Sequence, residues 1–123
     1  MGDKKKVLIV DDSETMRSIL SMRFEVSGYD VIIASDGEEA LEKAKKEKPA
    51  ILILDLMLPK INGYEVCQML KFDEKYKDLP IIILSALDQQ EEREKAVKSG
   101  ADAYFIKPFD LDLLITKVKS FVG

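Results

Sequence analysis

The chain has 123 residues, 46% of them apolar and 34% charged, and its 19 basic and 23 acidic side chains give a formal net charge of −4. This length fits one compact domain whose core needs no disulfide or structural metal. The mildly acidic balance argues against a protein whose main task is to wrap nucleic acid. With one cysteine, Cys67, and no histidine, the sequence excludes a disulfide framework, a multi-thiolate zinc site and a histidine-based catalytic triad.

The amino terminus shows no targeting signal. Residues 1–6 lead into only four apolar residues, Val7–Val10, which are too few for a signal peptide or a membrane span. An N-myristoylation signal needs Ser or Thr where Lys6 stands. We therefore expect a reduced, cytoplasmic, soluble protein without membrane insertion, folded as a single domain over residues 1–123.

Five short apolar runs alternate along the chain with longer stretches of helical spacing. The runs are continuous and rich in Ile, Leu or Val, as is typical of parallel strands that are covered on both faces. The predicted strands are Val7–Val10, Val31–Ala34, Ile51–Leu54, Ile81–Leu84 and Ala103–Ile106.

The stretches between the runs repeat apolar residues at helical intervals, which predicts amphipathic helices. Their apolar stripes consist of Met16, Ile19, Leu20 and Phe24, then Leu41 and Ala44, then Val66, Met69 and Leu70, and last Leu111, Leu114, Ile115, Val118, Phe121 and Val122. Polar residues and glycines stand where helices should begin and end. The expected caps are Asp36 with Glu39, Asp88 with Glu91, and Asp110, and the expected terminating glycines are Gly28 and Gly100.

Five strand–helix units in succession predict an α/β fold. Right-handed crossovers place helices on both faces of a five-stranded parallel sheet. The strand order expected for this doubly wound, flavodoxin-like (βα)5 fold is 2-1-3-4-5, and its ligands bind at the carboxyl ends of strands one and three. The topology therefore predicts a site directly after Val10 and Leu54, with strands four and five as neighbours.

Charged and polar side chains follow these strand ends. They are Asp11 and Asp12 after strand one, Asp55 after strand three, Ser85 after strand four, and Lys107 after strand five. Three clustered carboxylates repel one another, so they need a cation or must be protonated, and an all-oxygen cluster suits a hard ion such as Mg²⁺. Taken singly, Asp12 could cap the first helix and Ser85 could start a loop. Their occurrence together at the predicted edge favours a functional site.

Four segments occur in order along essentially the whole chain. They are L-I-V-D-D at Leu8–Asp12, D-L-M-L-P-K-I-N-G at Asp55–Gly63, L-S-A at Leu84–Ala86 and K-P-F at Lys107–Phe109. In this order and spacing the sequence resembles the receiver domain of bacterial two-component response regulators, including the single-domain receivers of chemotaxis.

The resemblance implies how the acidic residues divide their tasks. Asp55 matches the aspartate that accepts a phosphoryl group from a histidine kinase or phosphotransfer protein. Asp11 and Asp12 match the acidic pair that holds Mg²⁺, for which Mn²⁺ can substitute. Met57 matches the position whose backbone carbonyl ligates the metal. Met57 and Leu87 also match the two positions that flank the path of the water that hydrolyses the aspartyl phosphate.

The remaining matches concern switching. Ser85 matches the hydroxyl that moves onto the phosphoryl group, and Lys107 matches the lysine that pairs with that group. Tyr104 matches the aromatic residue whose rotamer changes on activation. The bond between Lys107 and Pro108 matches a peptide bond that is cis in the family, where the preference for trans is small.

These matches imply a phosphorylation-dependent signalling switch and not an enzyme, apart from its own phosphotransfer and slow self-dephosphorylation. Phosphorylation is expected to change the binding of a downstream protein at the face formed by helix 4, strand 5 and helix 5. Helix 4 fits this expectation because Gln89–Ser99 has only Ala96 and Val97 as apolar residues and is weakly anchored. We expect a monomer or a weak phosphorylation-dependent dimer, with no direct contact to nucleic acid.

Three other functions share parts of the pattern. A flavodoxin-like cofactor carrier needs a neutral phosphate loop where Asp11 and Asp12 stand. An aspartyl-nucleophile phosphatase needs a second acid at the position of Met57. A degenerate receiver that acts as a phosphorylation-independent binding scaffold is the alternative that stays open. We expect no DNA-binding or enzymatic effector within this chain, and either a stand-alone receiver or one part of a longer regulator.

Overall fold

The structure is a computed structural model that describes residues 4–123, so the expectation that residues 1–3 belong to no targeting signal lies outside the described residues. Strands and helices alternate through the described chain. They are β1 (Lys6–Val10), α1 (Glu14–Val26), β2 (Asp30–Ala34), α2 (Gly37–Glu47), β3 (Ile51–Asp55), α3 (Gly63–Lys71), β4 (Ile81–Ser85), α4 (Gln90–Lys98), β5 (Ala103–Ile106) and α5 (Leu111–Val122). Within residues 4–123, no helix combines the length and the apolar character that crossing a bilayer requires.

The five strands form one parallel sheet in the order β2-β1-β3-β4-β5. All five residues of β3 and all five of β4 are buried, which explains why the first four residues of each strand form a continuous apolar run and do not alternate. The predicted α/β fold, its flavodoxin-like topology and its strand order are confirmed.

Two apolar cores lie on opposite faces of the sheet. Because side chains alternate along a strand, Leu8 and Val10 of β1 pack with α2, α3 and α4, whereas Val7 and Ile9 pack with α1 and α5. Cys67 is fully buried in the first core, and burial raises the pKa of its thiol. A free cysteine in this setting packs as a small apolar side chain.

The apolar stripe expected on α3 is wrong at one position. Met69 is 53% exposed, and Cys67 is buried instead, beside Val66 and Leu70. The helix turns this side inward because Gly63 packs directly on the backbone of β3, where a Cβ atom would lie 2.7 Å from the Asp55 carbonyl oxygen. The spacing of apolar residues alone does not distinguish between these two neighbouring helix faces.

The capping box expected at the start of α4 is also wrong. The N-cap of α4 is Gln89, and its side chain makes no capping hydrogen bond, so Asp88 and Glu91 do not form the predicted pair. A complete capping box occurs at the start of α3, where Asn62 and Glu65 each accept a hydrogen bond from the other's backbone N–H.

Other helix ends agree with the sequence. Asp36 caps α2 by accepting a hydrogen bond from the Glu39 N–H, although the Glu39 carboxylate binds the N–H of Ser35 rather than that of Asp36. Asp110 caps α5 in the same manner. The two terminating glycines have left-handed φ values, +97° at Gly28 and +96° at Gly100.

The loop between β3 and α3 packs against the start of α2 through a glycine. A Cβ atom on Gly37 would lie 1.9 Å from the Ile61 carbonyl oxygen, so no other residue fits without displacing the loop. The Gly37 N–H donates to the Pro59 carbonyl, and the Lys60 ammonium lies 3.5 Å from the Asp36 carboxylate. The loop that follows Asp55 is therefore held firmly on its α2 side.

We expect Gly37→Ala to lower the free energy of unfolding by about 1–3 kcal/mol, because the added methyl group overlaps the Ile61 carbonyl. Urea unfolding followed by circular dichroism measures the change. Glu38→Ala is the matched control, since Glu38 is exposed in the same helical turn and its substitution should change stability by less than about 0.5 kcal/mol. Equal effects of the two substitutions would contradict this account.

Candidate functional site

Four adjacent strands bring the predicted residues to one edge of the sheet. Asp11 follows β1, Asp55 and Ser85 are the last residues of β3 and β4, and Lys107 follows β5. Neighbouring strands end in register, since Val10 pairs with Leu54 and Ser85 with Ile106. The parallel topology therefore explains why residues almost 100 positions apart in sequence lie together.

The three aspartates form an oxygen cluster. One carboxylate oxygen from each of Asp11, Asp12 and Asp55 lies within 4.8 Å of the other two. Asp11 and Asp55 are buried, whereas Asp12 is exposed, so the cluster opens to solvent on the Asp12 side. Carboxylate oxygens with one open side fit a hard divalent cation that keeps several of its waters, as Mg²⁺ does.

Asp11 is fixed by hydrogen bonds on both carboxylate oxygens. Oδ1 accepts from the Ser13 N–H at 2.9 Å, and Oδ2 accepts from the Lys107 ammonium at 3.1 Å. The Arg17 guanidinium donates to the Asp11 carbonyl oxygen at 2.7 Å. These contacts hold a buried charge in one orientation, which a loop residue would not otherwise keep.

Lys107 links the two buried carboxylates. Its Nζ atom lies 3.1 Å from Oδ2 of Asp11 and 3.4 Å from Oδ1 of Asp55. Its backbone N–H donates to the Ser85 carbonyl at 2.7 Å, and the peptide bond to Pro108 is cis. The ammonium group thus lies within reach of any group attached to Asp55.

The pKa of Asp55 is raised from its ordinary value. Burial is the largest cause, and the negative charge of Asp11 adds to it. The Lys107 ammonium and a hydrogen bond from the Met57 N–H act in the opposite direction, but they do not cancel the increase. The ionised carboxylate is therefore under-stabilised, and a bound cation would stabilise it.

Ser85, Leu87 and Tyr104 are joined by hydrogen bonds. The buried Ser85 hydroxyl accepts from the Leu87 N–H at 3.0 Å, which leaves its own proton available to donate. The Tyr104 hydroxyl donates to the Leu87 carbonyl at 2.7 Å. The segment after β4 is thus attached both to the site and to β5.

Met57 and Leu87 present apolar side chains beside this site. Met57 is 66% exposed and Leu87 is 37% exposed. Leu87 is joined to the site by its N–H, which donates to the Ser85 hydroxyl, and Met57 lies two residues after Asp55. Neither side chain can orient a water molecule through a strong hydrogen bond.

The structure corrects one local alternative and adds one residue. The N-cap of α1 is Ser13, whose hydroxyl accepts from the Met16 N–H, so Asp12 does not serve as the helix cap. Arg17 was not among the sequence-predicted site residues, although it holds the loop that carries Asp11 and Asp12. A basic residue within the first turns of α1 is a signal too common to have identified it.

The family model for the response regulator receiver domain matches residues 7–119. The chain belongs to this family. It is 45% identical over 118 residues to the alkaline phosphatase synthesis transcriptional regulatory protein PhoP of Bacillus subtilis, an alignment that covers 96% of this chain and 48% of PhoP. It is 38% identical over 117 residues to the DNA-binding dual master transcriptional regulator RpaA of Synechocystis sp., with 95% and 48% covered.

Solved receivers share the fold over their whole length. The chemotaxis protein CheY4 of Vibrio cholerae superposes with a TM-score of 0.90 at 32% identity, covering 97% of this chain and 99% of CheY4. The receiver described here nevertheless spans about half the length of the curated relatives it matches. Because those relatives are named transcriptional regulators, the expectation of no direct contact with nucleic acid gains no support from them.

The raised pKa of Asp55 predicts that Asp55→Asn stabilises the metal-free protein at pH 7. Between the ordinary pKa of the carboxyl group and its raised folded value, the folded state binds more protons than the unfolded state, so stability falls as pH rises. The neutral amide escapes this loss, which is about 1.4 kcal/mol for each pKa unit. Urea unfolding in chelator measures the difference in stability between about pH 3 and about pH 8. This range includes the ordinary pKa of aspartate and the pH values above it.

The gain should disappear at pH values below the ordinary pKa of aspartate, 3.8, where both states of the wild type are protonated. Asp88→Asn is the control, because Asp88 is exposed and its substitution removes the same charge. A gain for Asp55→Asn that is independent of pH would show that another cause, such as packing, determines its stability.

Proposed function

We propose that this chain is a phosphorylation-dependent signalling switch in which Asp55 accepts a phosphoryl group from a histidine kinase or phosphotransfer protein. The observation that carries the proposal is the position of the Lys107 ammonium, within 3.4 Å of Asp55 and 3.1 Å of Asp11, at the edge where the acidic cluster opens to solvent. The proposed nucleophile, the proposed phosphoryl-binding cation and the proposed metal-binding acids would thus lie next to one another.

In the proposed reaction a carboxylate oxygen of Asp55 attacks the phosphorus of a phosphohistidine. The new O–P bond forms as the P–N bond breaks, and the histidine nitrogen keeps the electron pair and takes up a proton. Lys107 leaves its contact with Asp55 and donates to the phosphoryl oxygens. Apart from this transfer and slow self-dephosphorylation, we propose no enzymatic activity for the chain.

Asp11, Asp12 and Asp55, together with the backbone carbonyl of Met57, would hold Mg²⁺, and Mn²⁺ would substitute. When bound, the ion supplies positive charge that offsets the carboxylates and the phosphoryl oxygens. Rotation of the Asp11 carboxylate would break its hydrogen bonds to Ser13 and Lys107. We therefore expect Asp11 to bind the ion in its present orientation.

The proposed output lies on the face formed by α4, β5 and α5. The Ser85 hydroxyl would donate a hydrogen bond to the phosphoryl group, and the segment after Ser85 would move towards Asp55 with it. The Tyr104 hydroxyl then loses its acceptor on Leu87. Of the side chains of α4, only Ala96 is buried, and Val97 is 72% exposed, so this helix is the element most easily displaced.

A downstream protein that binds this face would sense the displacement of α4. We further propose a cytoplasmic location and a monomer or a weak dimer that phosphorylation strengthens. The absence of any described bilayer-crossing helix is compatible with this location.

We expect acetyl phosphate to add one phosphoryl group to the wild type only when Mg²⁺ or Mn²⁺ is present. Without the cation, the carboxylates of Asp11, Asp12 and Asp55 repel the incoming anion. Intact-mass spectrometry of the wild type and of Asp55→Asn, each with metal and with chelator, measures the label.

Asp88→Asn is the control and should label like the wild type, because Asp88 is exposed and lies outside the acidic cluster. Label on Asp55→Asn, or label in chelator, would refute the assignment. A wild type that takes up no label under any of these conditions would favour the degenerate scaffold.

We also expect the apolar pair Met57 and Leu87 to prolong the life of the aspartyl phosphate. The double variant Met57→Asn, Leu87→Glu gives the attacking water two polar partners and should release phosphate faster by about ten- to a hundredfold. The release of inorganic phosphate from labelled protein, freed of donor, measures the rate.

The matched control is Met22→Asn, Leu113→Glu, which makes the same chemical changes at two exposed apolar residues outside the site. It should leave the rate unchanged. If the site variant hydrolyses no faster than this control, the two side chains do not set the lifetime.

A further inference from the structure

The first turn of α4 is held by a side chain from α3. The hydroxyl of Tyr64 lies 2.9 Å from the carbonyl oxygen of Glu92 and 2.5 Å from its carboxylate oxygen Oε2. The other carboxylate oxygen of Glu92 lies 3.6 Å from the Lys95 ammonium. Burial and the neighbouring Glu92 carboxylate raise the pKa of Tyr64, so its hydroxyl stays protonated and acts as the donor.

The contact with Tyr64 is important because α4 has no side-chain N-cap and few buried side chains. Its N-cap residue, Gln89, makes no side-chain capping bond, so the first turn lacks this form of local stabilisation. Only Ala96, near the other end of the helix, is buried. Among the described residues, the Tyr64 hydroxyl therefore supplies a side-chain hydrogen bond that joins the beginning of α4 to another helix.

A second tyrosine holds the segment that leads into α4. The Tyr104 hydroxyl binds the Leu87 carbonyl, two residues after Ser85, and the Arg93 guanidinium lies 5.8 Å from the centre of the Tyr104 ring. The segment from Ser85 to the first turn of α4 is thus attached by one tyrosine from β5 and by another, Tyr64, from α3. Displacement of this segment requires both hydroxyl bonds to change.

We propose that Tyr64 is a positioning residue: its hydrogen bond to Glu92 holds the first turn of α4 in the arrangement described here and so limits how far α4 is displaced before Asp55 is phosphorylated. The contact joins α3 to α4 and lies apart from the acidic cluster. The link to phosphorylation rests on the proposed function, whereas the holding of α4 does not.

The size of the effect follows from the kind of bond. A typical hydrogen bond between partly buried groups changes a conformational equilibrium by about three- to tenfold. Removal of the hydroxyl should therefore increase the displaced fraction of α4 by about this factor without unfolding the domain. Substitution of Glu92 should have a smaller effect, because the backbone carbonyl of residue 92 remains as an acceptor.

The test compares Tyr64→Phe with the wild type, using Tyr76→Phe as the control, since the structure gives the half-buried Tyr76 no hydroxyl hydrogen bond within residues 4–123. Amide hydrogen exchange is measured on the untreated proteins. In Tyr64→Phe the amides of α4 should exchange about three- to tenfold faster, while those of β3 change less. Tyr76→Phe should not accelerate α4 selectively.

Amide chemical shifts then decide whether the contact acts on the switch. Shifts of the wild type are recorded with Mg²⁺ before and after addition of acetyl phosphate, which defines a direction of change for each α4 amide. The untreated Tyr64→Phe protein should be displaced along that direction. Glu92→Gln, which keeps an acceptor oxygen, should lie closer to the wild type.

Unchanged exchange in α4, or exchange that rises equally in β3, would overturn the claim that Tyr64 holds this helix. If the α4 chemical shifts of Tyr64→Phe do not change along the direction that acetyl phosphate produces in the wild type, the claim that Tyr64 acts on the switch is wrong. A wild type whose shifts do not respond to acetyl phosphate would refute the proposed function and the link to it, and hydrogen exchange would still decide the holding of α4.

Discussion

The arrangement of the carboxyl edge depends on one cation between two buried carboxylates. Asp11 and Asp55 lie at the ends of neighbouring strands, away from bulk solvent. The repulsion between their negative charges would push the strand ends apart or cause one of the two carboxylates to take up a proton. The Lys107 ammonium, 3.1 Å from one and 3.4 Å from the other, offsets part of this repulsion. One positive charge does not balance two negative charges, and the exposed Asp12 adds a third. The net negative charge of these four side chains therefore favours the binding of a further cation at this edge.

The fold could be predicted from the sequence because its strongest signals are local and repeated. A run such as Ile51–Leu54 is apolar on both faces, and only a sheet covered on both sides buries it. The prediction failed where a choice between neighbouring faces or loops depends on tertiary packing. Met69 lies outside because Gly63 packs on the backbone of β3. The N-cap of α4 is Gln89 and not Asp88, in a loop whose backbone is bound by Ser85 and Tyr104.

The candidate site divides in the same way. Asp11, Asp55, Ser85 and Lys107 could be located because a parallel sheet brings strand ends together without any knowledge of side-chain packing. The contact between Tyr64 and Glu92 could not, since it joins residues 28 positions apart on two helices whose separation the sequence does not specify. Hydrogen bonds between surface elements leave no periodic pattern, whereas burial of apolar residues does.

The two loops that border Asp55 are held by different kinds of contact, and this difference bears on the proposed response to phosphorylation. On one side, the absence of a side chain on Gly37 lets α2 lie against the backbone at Ile61. The loop after β3 therefore cannot move towards α2 without a steric clash. On the other side, the segment after β4 is attached by single hydroxyl groups. If Asp55 is phosphorylated as proposed, a displacement that begins there would pass more readily to the segment that leads to α4 and β5 than to α2. Under the proposed function the start of α2 would serve as the fixed side of the site, and the segment after β4 would serve as its movable side.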